Sequence, residues 1–344
     1  MKRNLTLTLL CVLTLTLSAG NPFREVKNYD GKSPRMGRIV YSLPKAEVKI
    51  KVTATCTTNK PGPFAQYAER YLADEEAIIR ESKTWELKDI VVKSYYVADT
   101  SRTYIITYET QPINFVSGTS ILKSVGNWDI ESHNPQSSHN HKTPNRLDSV
   151  FHTELLGEET LTSTSIPKMA ERAAKQIFQL REARTAILTC DVNHQPDGKA
   201  TQEILDRINY EERELTALFL GKKITTNTTR CFDIDPTTNK ENLIVARMSN
   251  IEGIMSADDM IGLPIYANIT PSFQTAPTEN KKEKKAHKGY FYNVPGSVEV
   301  IIKLSETLIT TKTLSIPQNG YATWLLPTTS NILFDKNGAI LKLK

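Results

Sequence analysis

Ala46-Glu47-Val48-Lys49-Ile50-Lys51-Val52-Thr53-Ala54-Thr55 alternates without a break. Val48, Ile50, Val52 and Ala54 fall on one side, and Glu47, Lys49, Lys51 and Thr53 on the other. A period of two is that of a strand with one face buried and the other in water. Lys60-Pro61-Gly62-Pro63 stops the strand, and Pro63 suits the first turn of a helix. Phe64, Tyr67, Ala68 and Tyr71 then recur at helical spacing up to Ala73. The pattern predicts a short helix that packs its aromatics on a sheet. Residues 85–90 and 91–97 read as strands, with a hairpin turn at Ala98-Asp99-Thr100-Ser101 and a return over 103–108. A further strand pair is expected between Ile113 and Val125 around Gly118, before a polar loop over 127–148.

The period changes at Ile166. Met169, Ala170, Ala173, Ile177, Leu180, Ile187 and Leu188 form a helical stripe, opened by Pro167. Pro196-Asp197-Gly198 signals a turn. Ile204, Leu205, Ile208, Leu215, Leu218 and Phe219 mark the inner face of a second helix, and Gly221 stops it. Glu211, Glu212 and Arg213 point outward on this reading. Ile177 and Leu180 should face Ile208 and Leu215, with both helices resting on a sheet. From Ile224 the period returns to two. Strands are expected at 243–248, 265–269, 297–304, 307–315 and 321–326, and a hairpin joins 332–334 to 339–343 across Asp335-Lys336-Asn337-Gly338.

The fold class is therefore α+β: two β-rich parts joined by an antiparallel helical hairpin, with a short helix in the N-terminal part. The expected division is a signal peptide over 1–20, an N-terminal β-rich domain over 21–165, the hairpin over 166–222 and a C-terminal β-rich domain over 223–344.

The leader carries the clearest functional signal. Lys2 and Arg3 precede an apolar run over 5–17, and Ser18-Ala19-Gly20 supplies small residues for cleavage, the layout of a secretory signal peptide. The run is shorter than the roughly 20 apolar residues of a membrane span. A lipid on Cys11 would need a small residue before it, and Leu9-Leu10 stand there instead. The sequence predicts export to the periplasm or outer cell envelope, with a mature end near Asn21. With 39% hydrophobic and 24% charged residues the composition is that of a folded chain. Loss of Lys2 and Arg3 lowers the net charge from +5 to +3, too little for general affinity to nucleic acid or membranes.

Three cysteines follow the leader: Cys56, Cys190 and Cys231. An odd count leaves at least one thiol outside an internal bridge. A Cys190–Cys231 disulfide would close a loop of about 40 residues, worth about 4 kcal/mol in the chain-entropy model. Three buried thiols are the plainer alternative. No pair has zinc-site spacing. His139 and His141, near His133 and His152, would point the same way on a strand and are the only metal candidates. Their polar surroundings offer no carboxylate to orient them, so a solvated loop is expected there, as it is for the lysine-rich run 281–288.

No nucleophile elbow, zinc-protease helix or phosphate loop occurs, so no catalytic residue is assigned and no cofactor is implied. Glu75-Glu76, Glu158-Glu159 and Asp258-Asp259 would serve a glycosidase only if carboxylates converged across a cleft. Each pair is expected to be surface charge, with Asp258-Asp259 opening a turn after Ser256. Two functions follow: a non-enzymatic binding or scaffold protein whose partner is an envelope protein or glycan, or a hydrolase acting on glycans with Trp85, Trp128 or Trp324 lining a cleft.

Several segments together resemble a known family. They are 41–45 (Tyr-Ser-Leu-Pro-Lys), 60–72 (from Lys60-Pro61-Gly62-Pro63-Phe64 to Leu72), 170–184, 216–221 (Thr-Ala-Leu-Phe-Leu-Gly), 292–296 (Tyr-Asn-Val-Pro-Gly) and 334–339 (Phe-Asp-Lys-Asn-Gly-Ala). In this order they resemble the exported Bacteroides-type family filed as domain of unknown function 4831. The resemblance implies a Gram-negative cell envelope and brings no activity, cofactor or catalytic residue with it.

Overall fold

The computed structural model describes residues 26–32, 38–107, 112–128, 151–163, 165–189, 198–277, 289–325 and 331–344. The leader, most of the 127–148 loop with His133, His139 and His141, Cys190 and the run 281–288 lie outside them. Three antiparallel sheets organise the chain. Sheet I has the order β1 (Val26–Asn28), β3 (Ser82–Thr107), β2 (Arg38–Lys60), β6 (Lys222–Ile234). Sheet II has the order β11 (Thr307–Leu325), β10 (Tyr290–Leu304), β9 (Leu263–Ser272), β7 (Lys240–Ser249), β8 (Gly253–Met255). Sheet III has the order β13 (Ile340–Leu343), β12 (Ile332–Phe334), β5 (Leu122–Val125), β4 (Ile113–Phe115).

The alternation of residues 46–55 is realised on β2. Val48, Ile50, Val52 and Ala54 are buried in a core that sheet I shares with sheet II, against Ile265, Ile269, Val298, Val300 and Ile316. Glu47 and Lys51 stay exposed. At 23 residues β2 would span about 75 Å if straight, longer than one core. Its first part belongs to a second core, where Tyr41 and Leu43 meet Tyr104, Leu122, Tyr290, Ile332 and Phe334. The inward parity thus changes from odd (Tyr41, Leu43) to even (Ala46, Val48). A strand changes parity only where its ladder breaks, and the register of β2 on β3 shifts between Ser42 and Pro44.

That break corrects one expectation. Ala98-Asp99-Thr100-Ser101 does not turn the chain. Pro44 pairs with Ala98 and Ser42 with Thr103, so 99–102 bulge out opposite Leu43 and β3 continues. The two expected strands over 85–97 and the returning one are a single strand. Turn-forming residues serve a bulge as readily as a hairpin because both need local kinks. The 307–315 and 321–326 strands likewise merge in β11, broken opposite Pro295, where Val294 pairs with Tyr321 and Gly296 with Ile316.

The two β-rich segments do not form separate sheets. β6 follows the Gly221 cap of the second long helix and runs antiparallel along β2 from Lys60↔Lys222 to Val48↔Ile234. Sheet III pairs β5 with β12, so it too draws on both ends of the chain. The long helices are therefore placed between strands of one sheet.

The helices are α1 (Ala68–Leu72), preceded by a 3₁₀ turn at Ala65–Tyr67, then α2 (Glu158–Leu161), α3 (Ile166–Leu188) and α4 (Gly198–Leu220). α3 and α4 pack together through Ala170, Ala173, Ala174, Ile177, Leu215, Leu218 and Phe219. Pro167 sits in the first turn of α3, and Gly221, at φ 84°, donates its N–H to the Ala217 carbonyl. Among the described residues, no strand of the expected sheet contributes to this core. Phe64, Ala68, Tyr67, Tyr71 and Leu156 fill the place instead, with Phe64 and Phe219 rings 5.4 Å apart. The aromatic stripe therefore packs on helices, beyond the end of sheet I. Leu180 is half-buried whereas Ile177 is fully buried. Ile177→Ala is expected to cost about 2–5 kcal/mol, and exposed Lys175→Ala less than about 0.5 kcal/mol, by urea unfolding. Equal, small effects would contradict this packing.

Candidate functional site

Among the described residues, two convergences of polar side chains involve charged groups. The first lies where the β2–β3 and β10–β11 breaks meet. Asn293 is fully buried. Its amide donates to the carbonyls of Pro44 (3.1 Å) and Asn337 (2.9 Å), and its Oδ1 accepts from Arg102 at 3.3 Å. Its own N–H donates to the Gly338 carbonyl at 2.9 Å. Gly338 has φ 80°, and a Cβ there would stand 2.7 Å from Pro44 Cδ, so only glycine fits the turn and the approach. Gln318 copies a strand neighbour, accepting from Ala46 N–H (2.9 Å) and donating to Ala46 C=O (2.7 Å). Nearby, the Tyr41 hydroxyl accepts from Phe291 N–H at 2.8 Å, and burial pushes its phenol well above the usual range.

The charged member of this junction is the Arg102–Asp99 pair, 2.8 Å apart. Burial alone would raise the Asp99 carboxyl, but hydrogen bonds from Ser101 and Arg102 outweigh it and hold the group below its ordinary 3.8. A depressed folded-state value contributes stability above the unfolded value, lost as pH falls through the folded one. The stability gap between the natural chain and Asp99→Asn should therefore be full at neutral pH and shrink only as pH falls below the ordinary aspartate value of 3.8. Urea titrations at several pH values check this. A gap that stays constant into acid would contradict it.

The second place is the helical end. Glu214 is buried, paired with Lys222 and 3.7 Å from Arg213. His152 lies between two carboxylates, 2.5 Å from Glu154 and 4.0 Å from Glu214. Toward α3, Glu212 takes Arg181 at 2.7 Å and Arg184 on its other oxygen. A cleft of about 460 Å³ runs beside them, lined by Arg181, Arg184, Asn209, Glu212, Arg213 and Thr216 among others. Chemically it presents guanidinium edges already facing a carboxylate, a surface suited to holding a polar partner. Glu212 was expected in water and instead braces α4 to α3. Glu214 carried no signal in the sequence, because its partner Lys222 lies beyond the cap that ends its helix.

The sequence candidates are not brought together. His139, His141 and Cys190 are outside the described residues, so neither the metal nor the Cys190–Cys231 pairing is placed. Cys231 is exposed on β6 and Cys56 is buried on β2. Among the described residues no group of three His, Cys, Asp or Glu is arranged to hold a metal. Trp85 packs beside the first core against Gly253, Trp324 pairs with Phe291 across β10–β11, and Trp128 follows sheet III. Glu75 and Glu76 lie on an exposed loop, and Glu158 and Glu159 open α2 in water. Asp259 closes the turn after Ser256, accepting from its N–H at 2.8 Å.

These features define an antiparallel β protein of three sheets with helices inserted between strands of one of them. Residues 37–342 match the family model described as Domain of unknown function (DUF4831), and the chain belongs to that family. No curated protein and no solved structure matches it. None of the helices among the described residues is long and apolar enough to cross a membrane.

Proposed function

We propose that the protein is a non-enzymatic binding or scaffold protein, exported through its leader to the periplasm or outer envelope of a Gram-negative cell. One observation carries the reading. The segments by which the chain resembles its family are spent on joints of the fold. Segments 41–45, 292–296 and 334–339 meet at Pro44, Asn293 and Gly338. Segments 60–72, 170–184 and 216–221 meet at the helical end, where Phe64 N–H donates to the Leu218 carbonyl at 2.9 Å. Segments that make joints, rather than a reactive constellation, support a role in which this chain's shape is what matters. The helices act here as a hairpin that carries the arginine-lined cleft outward, where an envelope protein or a glycan would dock.

The test has two parts. Cross-linking in intact cells, with the mature end mapped by mass spectrometry, should give an end near Asn21 and cross-links from the helical end to another envelope component. Intact Met1, or lipid on Cys11, would contradict export. New reducing ends released from a glycan panel by the purified chain would overturn the reading in favour of the hydrolase.

A further inference from the structure

β6 is the edge of sheet I, paired with β2 along its whole length and, among the described residues, with nothing on its other side. Residues 225–231 are exposed on both faces. The strand therefore offers water a row of unpaired backbone groups as well as both sets of side chains. Folded proteins normally blunt such an edge with proline, a bulge, brevity or charge. β6 has 13 residues, no proline, an unshifted register on β2 and no charge from Ile224 to Thr229.

Its sequence is also self-complementary. Thr225-Thr226-Asn227-Thr228-Thr229 reads the same in both directions. We infer that β6 pairs antiparallel with β6 of a second copy of this chain, about a two-fold axis through Asn227, to make one continuous eight-stranded sheet. In that register Thr225 lies opposite Thr229 of the partner subunit, and Thr226 opposite Thr228 of the partner subunit. Threonine pairs across antiparallel strands are favourable contacts. β6 already makes them on its inner side, where the Thr53 and Thr229 hydroxyls are 3.1 Å apart and Thr55 donates to Asn227 at 2.9 Å. The ends agree in charge. Lys223 falls diagonal to Asp233 of the partner subunit on the same face of the sheet, close enough for a long side chain to reach. Such a two-fold contact uses the same patch twice and closes on itself.

Sedimentation of the mature chain should show a reversible dimer. Thr226→Lys/Thr228→Lys, which sets lysine against lysine across the axis at exposed positions, should weaken association at least tenfold and leave the melting temperature of the monomer unchanged. In a Cys190→Ser/Cys231→Ser background, Asn227→Cys should give a covalent dimer with a short bis-maleimide, and Lys83→Cys, on the far strand, should not. A chain that stays monomeric at roughly 100 µM overturns the proposal. So does a dimer that the lysine pair leaves intact, or one that position 227 does not cross-link.

Discussion

Asn293→Leu is expected to cost about 3 kcal/mol and to lower the melting temperature by roughly 4–5 °C in a chain of this length. The replacement keeps the volume and removes the amide. The Asn337 carbonyl loses its donor, the Pro44 carbonyl keeps only the longer bond from Arg102 at 3.3 Å, and Arg102 loses one acceptor. These groups lie where the chain crosses between two cores, so water cannot replace the lost partners cheaply. Asn209→Leu is the control. Asn209 is exposed and accepts only from Arg184 at 3.2 Å, so its loss should stay within about 0.5 kcal/mol. Similar small effects at both positions would mean that the junction does not hold the strands together.

The second large effect is expected at Gly62. It sits against the last turn of α4, and a Cβ built there would overlap the Leu218 carbonyl oxygen. The obstacle is backbone, which cannot rotate aside as a side chain does. Gly62→Ala must therefore push α4 away from Phe64, losing the Phe64 N–H to Leu218 hydrogen bond and opening the Phe64–Phe219 contact. Overpacking of this kind costs about 1–3 kcal/mol or more. Hydrogen exchange should show the loss concentrated in α3 and α4, with sheet II protected as before. Uniform loss across the chain, or none, would contradict this placement of the helical end.

The elements themselves were legible because periodicity is a local property. The inward face of β2, the stripes of α3 and α4, the Gly221 stop and the 332–343 hairpin each follow from a few neighbouring residues. Pairings were not legible, because they join distant ones. Nothing near Ile224 says that the strand will lie on β2, or near Asn293 that its amide will reach Pro44, 249 positions away. The bulge at 99–102 was misread for a related reason: Asp99 and Ser101 form the same short-range hydrogen bonds in a bulge as in a turn. The candidate site was the least visible part. Its residues matter through company supplied by other segments, as Glu214 does with Lys222 and His152.

Joints built from distant segments bind the two β-rich ends into one body. Expressing residues 21–165 and 166–344 as separate fragments tests this. Sheets I and III each lose strands at that cut, so neither fragment alone should give the dispersed amide spectrum of a folded chain. Mixing the two should restore it. A dispersed spectrum from either fragment alone would show that the joints do not bind the two ends into one body.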